Sequence, residues 1–122
     1  MIRGFIDFSC QKGDLEQVAN LISVHLTGKE NSFKGRENYV RDEIPTVYTE
    51  IFLGIRIYLM QNPEEANEFQ IDMTDKIHWL TDQYDAASEN IDFSERIYLL
   101  LKSCDGLIFP EEYSIQWPNK AT

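Results

Sequence analysis

The sequence predicts an α+β domain: a mostly antiparallel sheet of four to five strands packed against two to three helices. Three stretches carry that reading. At the start of the chain, Ile2, Gly4, Ile6 and Phe8 alternate with Arg3, Phe5, Asp7 and Ser9, the period of two of a strand with one face toward a core. Directly behind it, Leu15, Val18, Ala19, Ile22 and Leu26 recur three or four apart, the spacing of an amphipathic helix. From Val47 to Met60 the chain is dense in β-branched and aromatic residues, with Pro45 before it and Gly54 within it, a composition that favours strands over helix. The chain has 122 residues, which suits one domain over residues 1–122; at that length a single core buries a little under about 70% of the unfolded surface, so no metal or disulfide staple is required.

Taken in order, residues 2 to 9 read as a strand. Asp14 and Gln17 form a capping box for the first helix, which Gly28 stops. Residues 29 to 41 read as a long polar loop or surface turn, and Lys34, Arg36 and Arg41 make it the one basic patch. Two strands are expected at 46–52 and 54–61, with Gly54 marking a bulge or bend between them. The competing reading is a helix on Val47, Ile51, Ile55 and Tyr58. Asn62-Pro63-Glu64-Glu65 suits either a helix start or a hairpin loop. In the first case Ala66, Phe69, Met73, Ile77, Leu80, Tyr84 and Ala87 make one apolar stripe; in the second, favoured here, Phe69, Ile71 and Met73 form a strand over 68–73 that pairs with 54–61, and a helix begins near Thr74. Asp92 and Glu95 suggest another capping box, for a helix over 93–104 that ends before Gly106. Leu107–Phe109 and Tyr113–Trp117, divided by Pro110, read as short or edge strands, and 119–122 as a frayed tail.

Acids outnumber bases 21 to 11, for a net charge of −10. That excess disfavours nucleic acid and anionic membranes as direct partners, since both bind through Lys and Arg. The longest apolar run, Ile97–Leu101, is far short of the roughly 20 residues of a membrane span. Arg3 and Asp7 interrupt the pattern a secretory signal needs, and the two cysteines, Cys10 and Cys104, have no metal-ligand spacing. A cytoplasmic protein with two buried thiols is the expectation. The charge is uneven. Residues 62–95 hold ten acids and one base, Lys76, whereas the other 88 residues hold eleven acids and ten bases. Such a run is commonly a solvated face, but concentrated charge also steers a basic partner.

Catalytic signatures are missing from the sequence: no G-x-S-x-G elbow, no clustered glycines for a phosphate loop, and no His near either Cys. His25 sits on the apolar side of the first helix and reads as a packed, hydrogen-bonded residue. On a helix, Asp75, His78 and Asp82 would share a face and offer one nitrogen and two carboxylates, but without a fourth ligand. We therefore assign no catalytic residue, no metal site and no cofactor from the sequence, and regard a small metal-dependent enzyme as a minor alternative.

Within the acidic run, Asp75, Trp79, Asp82, Tyr84 and Asp85 set aromatic rings among carboxylates. In size, charge and this stretch, the chain resembles the small acidic immunity proteins of bacterial toxin systems, including those of contact-dependent growth inhibition. The resemblance implies a protein that neutralises a cognate basic toxin domain, often a nuclease, by covering its cleft with carboxylates in place of phosphates. The partner-binding residues it points to are Asp72, Asp75, Trp79, Asp82, Tyr84, Asp85, Glu89 and Asp92. The remaining alternative is an interaction or scaffold domain, or a homo-oligomer subunit pairing through an edge strand at 113–117.

Overall fold

The computed structural model describes residues 2–11, 13–39, 44–51, 54–75 and 91–118. In chain order the elements are β1 (Ile2–Cys10), α1 (Leu15–Thr27), β2 (Gly35–Tyr39), β3 (Ile44–Tyr48), β4 (Arg56–Gln61), β5 (Glu68–Thr74), β6 (Ile91–Asp92), α2 (Ser94–Leu101), β7 (Leu107–Ile108) and α3 (Glu111–Gln116). This is the expected α+β class. The five longer strands form an antiparallel sheet in the order β2-β3-β4-β5-β1, to which two dipeptide strands are added along the far side of β1. β6 runs parallel to the start of β1 and β7 antiparallel to its end.

The β1–β5 register, Gly4↔Met73, Ile6↔Ile71 and Phe8↔Phe69, puts the alternating apolar residues of both strands on one face. Ile57, Leu59 and Val47 extend that face across β4 and β3. Helices α1 and α2 cover it with Val18, Ala19, Ile22, Ile97 and Leu101, all buried. The first helix starts at the expected capping box: Asp14 accepts from the Gln17 amide and the Gln17 side chain accepts from the Asp14 amide. It ends where Gly28 takes a left-handed φ of 75°, a conformation that costs glycine little. At Gly4 an added Cβ would lie 2.7 Å from the Ser94 nitrogen and 2.8 Å from the Phe93 carbonyl carbon. The start of α2 therefore rests directly on the backbone of β1.

Cys10 and Cys104 are buried in this core as thiols, without a disulfide. His25 stands on the exposed side of α1 rather than in the core; its Nε2 lies 2.8 Å from the Leu100 carbonyl oxygen, tying α1 to the last turn of α2. Among the described residues, no helix is long and apolar enough to cross a membrane.

Several boundaries differ from expectation for identifiable reasons. Residues 35–39, expected as loop, form β2, because the partner strand β3 supplies a full set of pairings from Gly35↔Tyr48 to Tyr39↔Ile44. Gly35 is suited to its place: a Cβ there would run into the Tyr48 ring. The two strands expected at 46–52 and 54–61 are β3 and β4, moved apart by a longer connection in which Gly54 has a φ of 76°. The hairpin reading of 62–67 holds, with Asn62 accepting from the Glu64 amide and its own amide donating to the Glu68 carbonyl. A helix beginning near Thr74 falls outside the described residues. α2 starts without a reciprocal capping box; Asp92 accepts from both the amide and the hydroxyl of Ser94.

The edge strand expected at 113–117 is instead the helix α3 and its end. Tyr113 and Trp117, four apart, pack as tilted rings 5.2 Å between centroids, and both contact Tyr98 on α2. Ile115, which alternation would have buried, is 75% exposed. This segment closes a sheet edge and does not offer one. The outward edge of β1 is sealed four ways: Arg3 accepts from the Phe93 amide, Phe5 donates to the Ser94 hydroxyl, Asp7 donates to the Tyr113 hydroxyl, and Ser9 pairs with Ile108. Pairing through 113–117 with a second chain is thereby removed from consideration.

Two substitutions test these contacts. Gly4→Ala is expected to push α2 off β1 and cost about 1–3 kcal/mol of unfolding free energy in urea titrations. Tyr113→Phe leaves the Asp7 amide without its hydroxyl partner; a loss of about 0.5–1.5 kcal/mol is expected, with faster hydrogen exchange at the Asp7 amide while the Phe5 amide keeps its protection.

Candidate functional site

The sheet face opposite α1 and α2 carries no helix among the described residues, and the site residues gather there. Register lays this outer face out in rows. Arg56, Thr74 and Arg3 lie abreast on β4, β5 and β1, with Asp92 beside Arg3 on β6. The next row is Gly35, Tyr48, Tyr58, Asp72 and Phe5, and the one after it Thr46, Met60, Gln70 and Asp7. Glu68, Ser9 and Ile108 follow on β5, β1 and β7. The centre of the second row is aromatic: Tyr48 and Tyr58 are 5.7 Å apart, and the Arg56 guanidinium sits 4.5 Å from the Tyr48 ring centroid while its Nε donates to the Thr49 carbonyl.

The carboxylates run lengthwise along the β5–β1 seam. Asp72 is half-buried, with Arg3 Nε 3.9 Å from its Oδ1. Burial pushes its pKa up; the Arg3 charge and the Met73 amide pull the other way without cancelling it. Asp75 follows the end of β5, where its amide donates to the Ile2 carbonyl. Oδ1 of Asp72 and Oδ1 of Asp75 are both buried and have no hydrogen-bond donor among the described residues. Asp92 is differently employed: its Oδ1 caps α2 through Ser94, whose hydroxyl and amide hold its pKa down. Of the residues the sequence pointed to, Asp72, Asp75 and Asp92 thus converge around the first residues of β1. Trp79, Asp82, Tyr84, Asp85 and Glu89 lie outside the described residues, as does His78 of the considered metal face. Among the described residues, no group of three or more His, Cys, Asp or Glu side chains is arranged to hold a metal ion.

The other end of the same face holds a feature that the sequence reading did not find. An open groove of about 670 Å³ crosses the strands near the β4–β5 hairpin. Ile44 and Met60 wall one end, Ile108, Phe109 and Pro110 the other, and Asp7 and Glu68 lie between them. The Asp7 pKa is raised, first by burial and then by the neighbouring Glu68 charge. The groove escapes sequence inspection because its residues come from five strands. The signal that does point to it is the hairpin pairing of 54–61 with 68–73, which sets Met60 and Gln70 on the face of Asp7.

No protein-family model matches the chain, and neither a curated protein nor a solved structure matches it.

The Asp72 environment predicts a pH signature. Its raised folded pKa means that the native state holds a proton more tightly than the unfolded chain, so this group's contribution is fully present below the unfolded value of 3.8 and is lost as pH rises through the higher folded value. Asp72→Asn is therefore expected to raise the melting temperature at pH 7, and the difference from the parent chain is expected to vanish below pH 3.8. Equal melting temperatures at pH 7 would show that Arg3 already offsets the burial.

Proposed function

We propose that this chain is a non-catalytic inhibitor of the bacterial immunity type, acting in the cytoplasm, that binds and neutralises a cognate basic toxin domain through the acidic outer face of its sheet. The observation that carries the reading is the pair of buried carboxylate oxygens on Asp72 and Asp75 that have no hydrogen-bond donor among the described residues. A buried acceptor without a donor costs folding free energy, typically about 1–3 kcal/mol, and that cost is offset when a partner brings the donor. Both residues are only partly buried, and the terminal torsion of Asp is soft, so either oxygen can turn toward an arriving Lys or Arg. The acids of residues 62–95 add long-range attraction for a basic surface, and a nuclease is basic because it must hold phosphates. Phe5, 49% exposed beside Asp72, supplies the apolar contact that such an interface needs at its centre.

The test is affinity isolation of the tagged chain from its native source at low salt, with identification of the retained proteins. A basic protein is expected, released progressively as salt rises and the Debye length shrinks to about 3 Å at 1 M. Reversal of both charges, in the Asp72→Lys, Asp75→Lys double variant, is expected to weaken the complex by at least about 100-fold, given roughly 2 to 5 kcal/mol for a buried interfacial charge pair. Retention of no basic protein, or of one whose affinity neither salt nor the double variant changes, would sink the proposal.

A further inference from the structure

We propose that the groove beside the β4–β5 hairpin is a peptide-docking site that takes an extended segment of a protein partner, with one Lys or Arg seated between Asp7 and Glu68 and an apolar side chain on either side of it. The inference builds on the acidic-face reading in expecting a cationic partner, but it concerns different residues and is tested separately.

The layout of the groove specifies this occupant. From β3, which contributes Ile44, to β7, which contributes Ile108, the groove crosses four strand spacings, or about 19 Å at roughly 4.8 Å each, the reach of about six extended residues. Its walls are apolar at both ends and acidic in the middle. Ile44 and Met60 stand on the outer face of β3 and β4, Glu68 and Asp7 on β5 and β1, and Ile108 beyond Ser9 on β7. Ile108 is 59% exposed, and Met60, Ile44 and Phe109 are partly so, leaving apolar surface at each end. Among the described residues, no Lys, Arg or His lines the groove to neutralise the two carboxylates.

A Lys or Arg side chain answers both parts of that surface. Its aliphatic stem packs on Met60, which adapts to varied shapes, and its charged head reaches the carboxylates. The repulsion that raises the Asp7 pKa is relieved by a cation placed between Asp7 and Glu68. The distance from the acidic centre to either apolar end, about two strand spacings or fewer, corresponds to two or three residues of extended chain. The preferred segment is thus apolar-x-x-Arg-x-apolar, read in either direction.

Fluorescence anisotropy with a labelled Leu-Ser-Thr-Arg-Ser-Leu peptide, in parallel with the same peptide carrying neutral citrulline for Arg, reads the charge requirement directly. Saturable binding is expected for the Arg peptide, at least tenfold weaker binding for the citrulline peptide, and a similar loss for the Asp7→Asn, Glu68→Gln double variant. Because Ile108 is largely exposed, Ile108→Ser keeps the fold intact and is expected to weaken the peptide at least fivefold through lost apolar contact. Asp75→Asn, about five residues farther along the seam, is expected to leave peptide affinity unchanged while weakening the basic protein partner. Methyl NMR shifts are expected at Ile44, Met60 and Ile108. Equal affinity for the two peptides, peptide binding indifferent to both groove variants, or shifts confined to the Asp72 end would each overturn the proposal. Loss of the protein partner in Asp75→Asn with peptide binding intact would separate this site from the other.

Discussion

The register between β1 and β5 is the constraint on which the rest of the molecule depends. Seven consecutive pairs, from Arg3↔Thr74 to Ser9↔Glu68, fix it. The alternation is strict on both strands, so a one-residue slip of β1 would send Ile6 and Phe8 to solvent and bring Asp7 under the helices, and a slip of β5 would do the same with Ile71 and Phe69 against Asp72 and Glu68. The cost of burying those charges is what makes the register unique. The same pairs therefore build two surfaces at once: a dry face that α1 and α2 cover, and a face on which carboxylates from separate strands meet. Removing one without the other is not available to this chain.

Once β1 is paired on one side, its other edge has to be closed, and the end of the chain does this with unlike parts. β6 and β7 seal the ends of the strand with two residues each, while the hydroxyls of Ser94 and Tyr113 serve the amides of Phe5 and Asp7 between them. Ser94 is the more exacting of the two. It accepts from Phe5 while donating to Asp92, and its amide also reaches Asp92, so a single side chain joins the sheet edge, the helix start and one of the acidic residues. Gly4 permits this junction by letting the α2 start lie on bare backbone. A carboxylate that composition marks as part of a binding face is, at Asp92, already employed in holding the fold together.

Much of the fold was legible in the sequence, because patterning and local chemistry agreed there. The β1 alternation, the Asp14–Gln17 box with its Gly28 stop, and the hairpin pairing of 54–61 with 68–73 all stand. Where the reading failed, the local signal was ambiguous and long-range contacts decided. Tyr113, Ile115 and Trp117 are two apart, as in a strand, but Tyr113 and Trp117 are also four apart, as on a helix face; the Tyr98 ring waiting on α2 selects the second arrangement and leaves Ile115 in solvent. Gly35–Tyr39 has no apolar alternation to read, and becomes a strand because β3 offers it backbone partners. At the site, composition located the acids but not their arrangement. Glu68 and Asp72 are outer-face residues of one strand, and Asp7, from a part of the sequence with little net charge, joins them only through register.

That arrangement changes what the net charge of −10 can do. A single acidic helix face would present like charges in a row to solvent, where salt screens them and each is worth little. Around β1 the carboxylates instead sit in three unlike settings. Asp72 has a guanidinium nearby and a buried oxygen without a donor among the described residues; Asp7 has the Glu68 charge and the Tyr113 hydroxyl near it; Asp92 is committed to Ser94. Long-range attraction belongs to all of them together and, on the proposed reading, would set how fast a basic partner arrives. On the same reading, how long it stays would depend on the first two, where a correctly placed cation answers the buried Asp72 oxygen and the repulsion between Asp7 and Glu68. On the proposed reading, encounter and retention would be carried by overlapping but different residues of one sheet face, so that a strongly acidic chain need not bind every basic surface equally well.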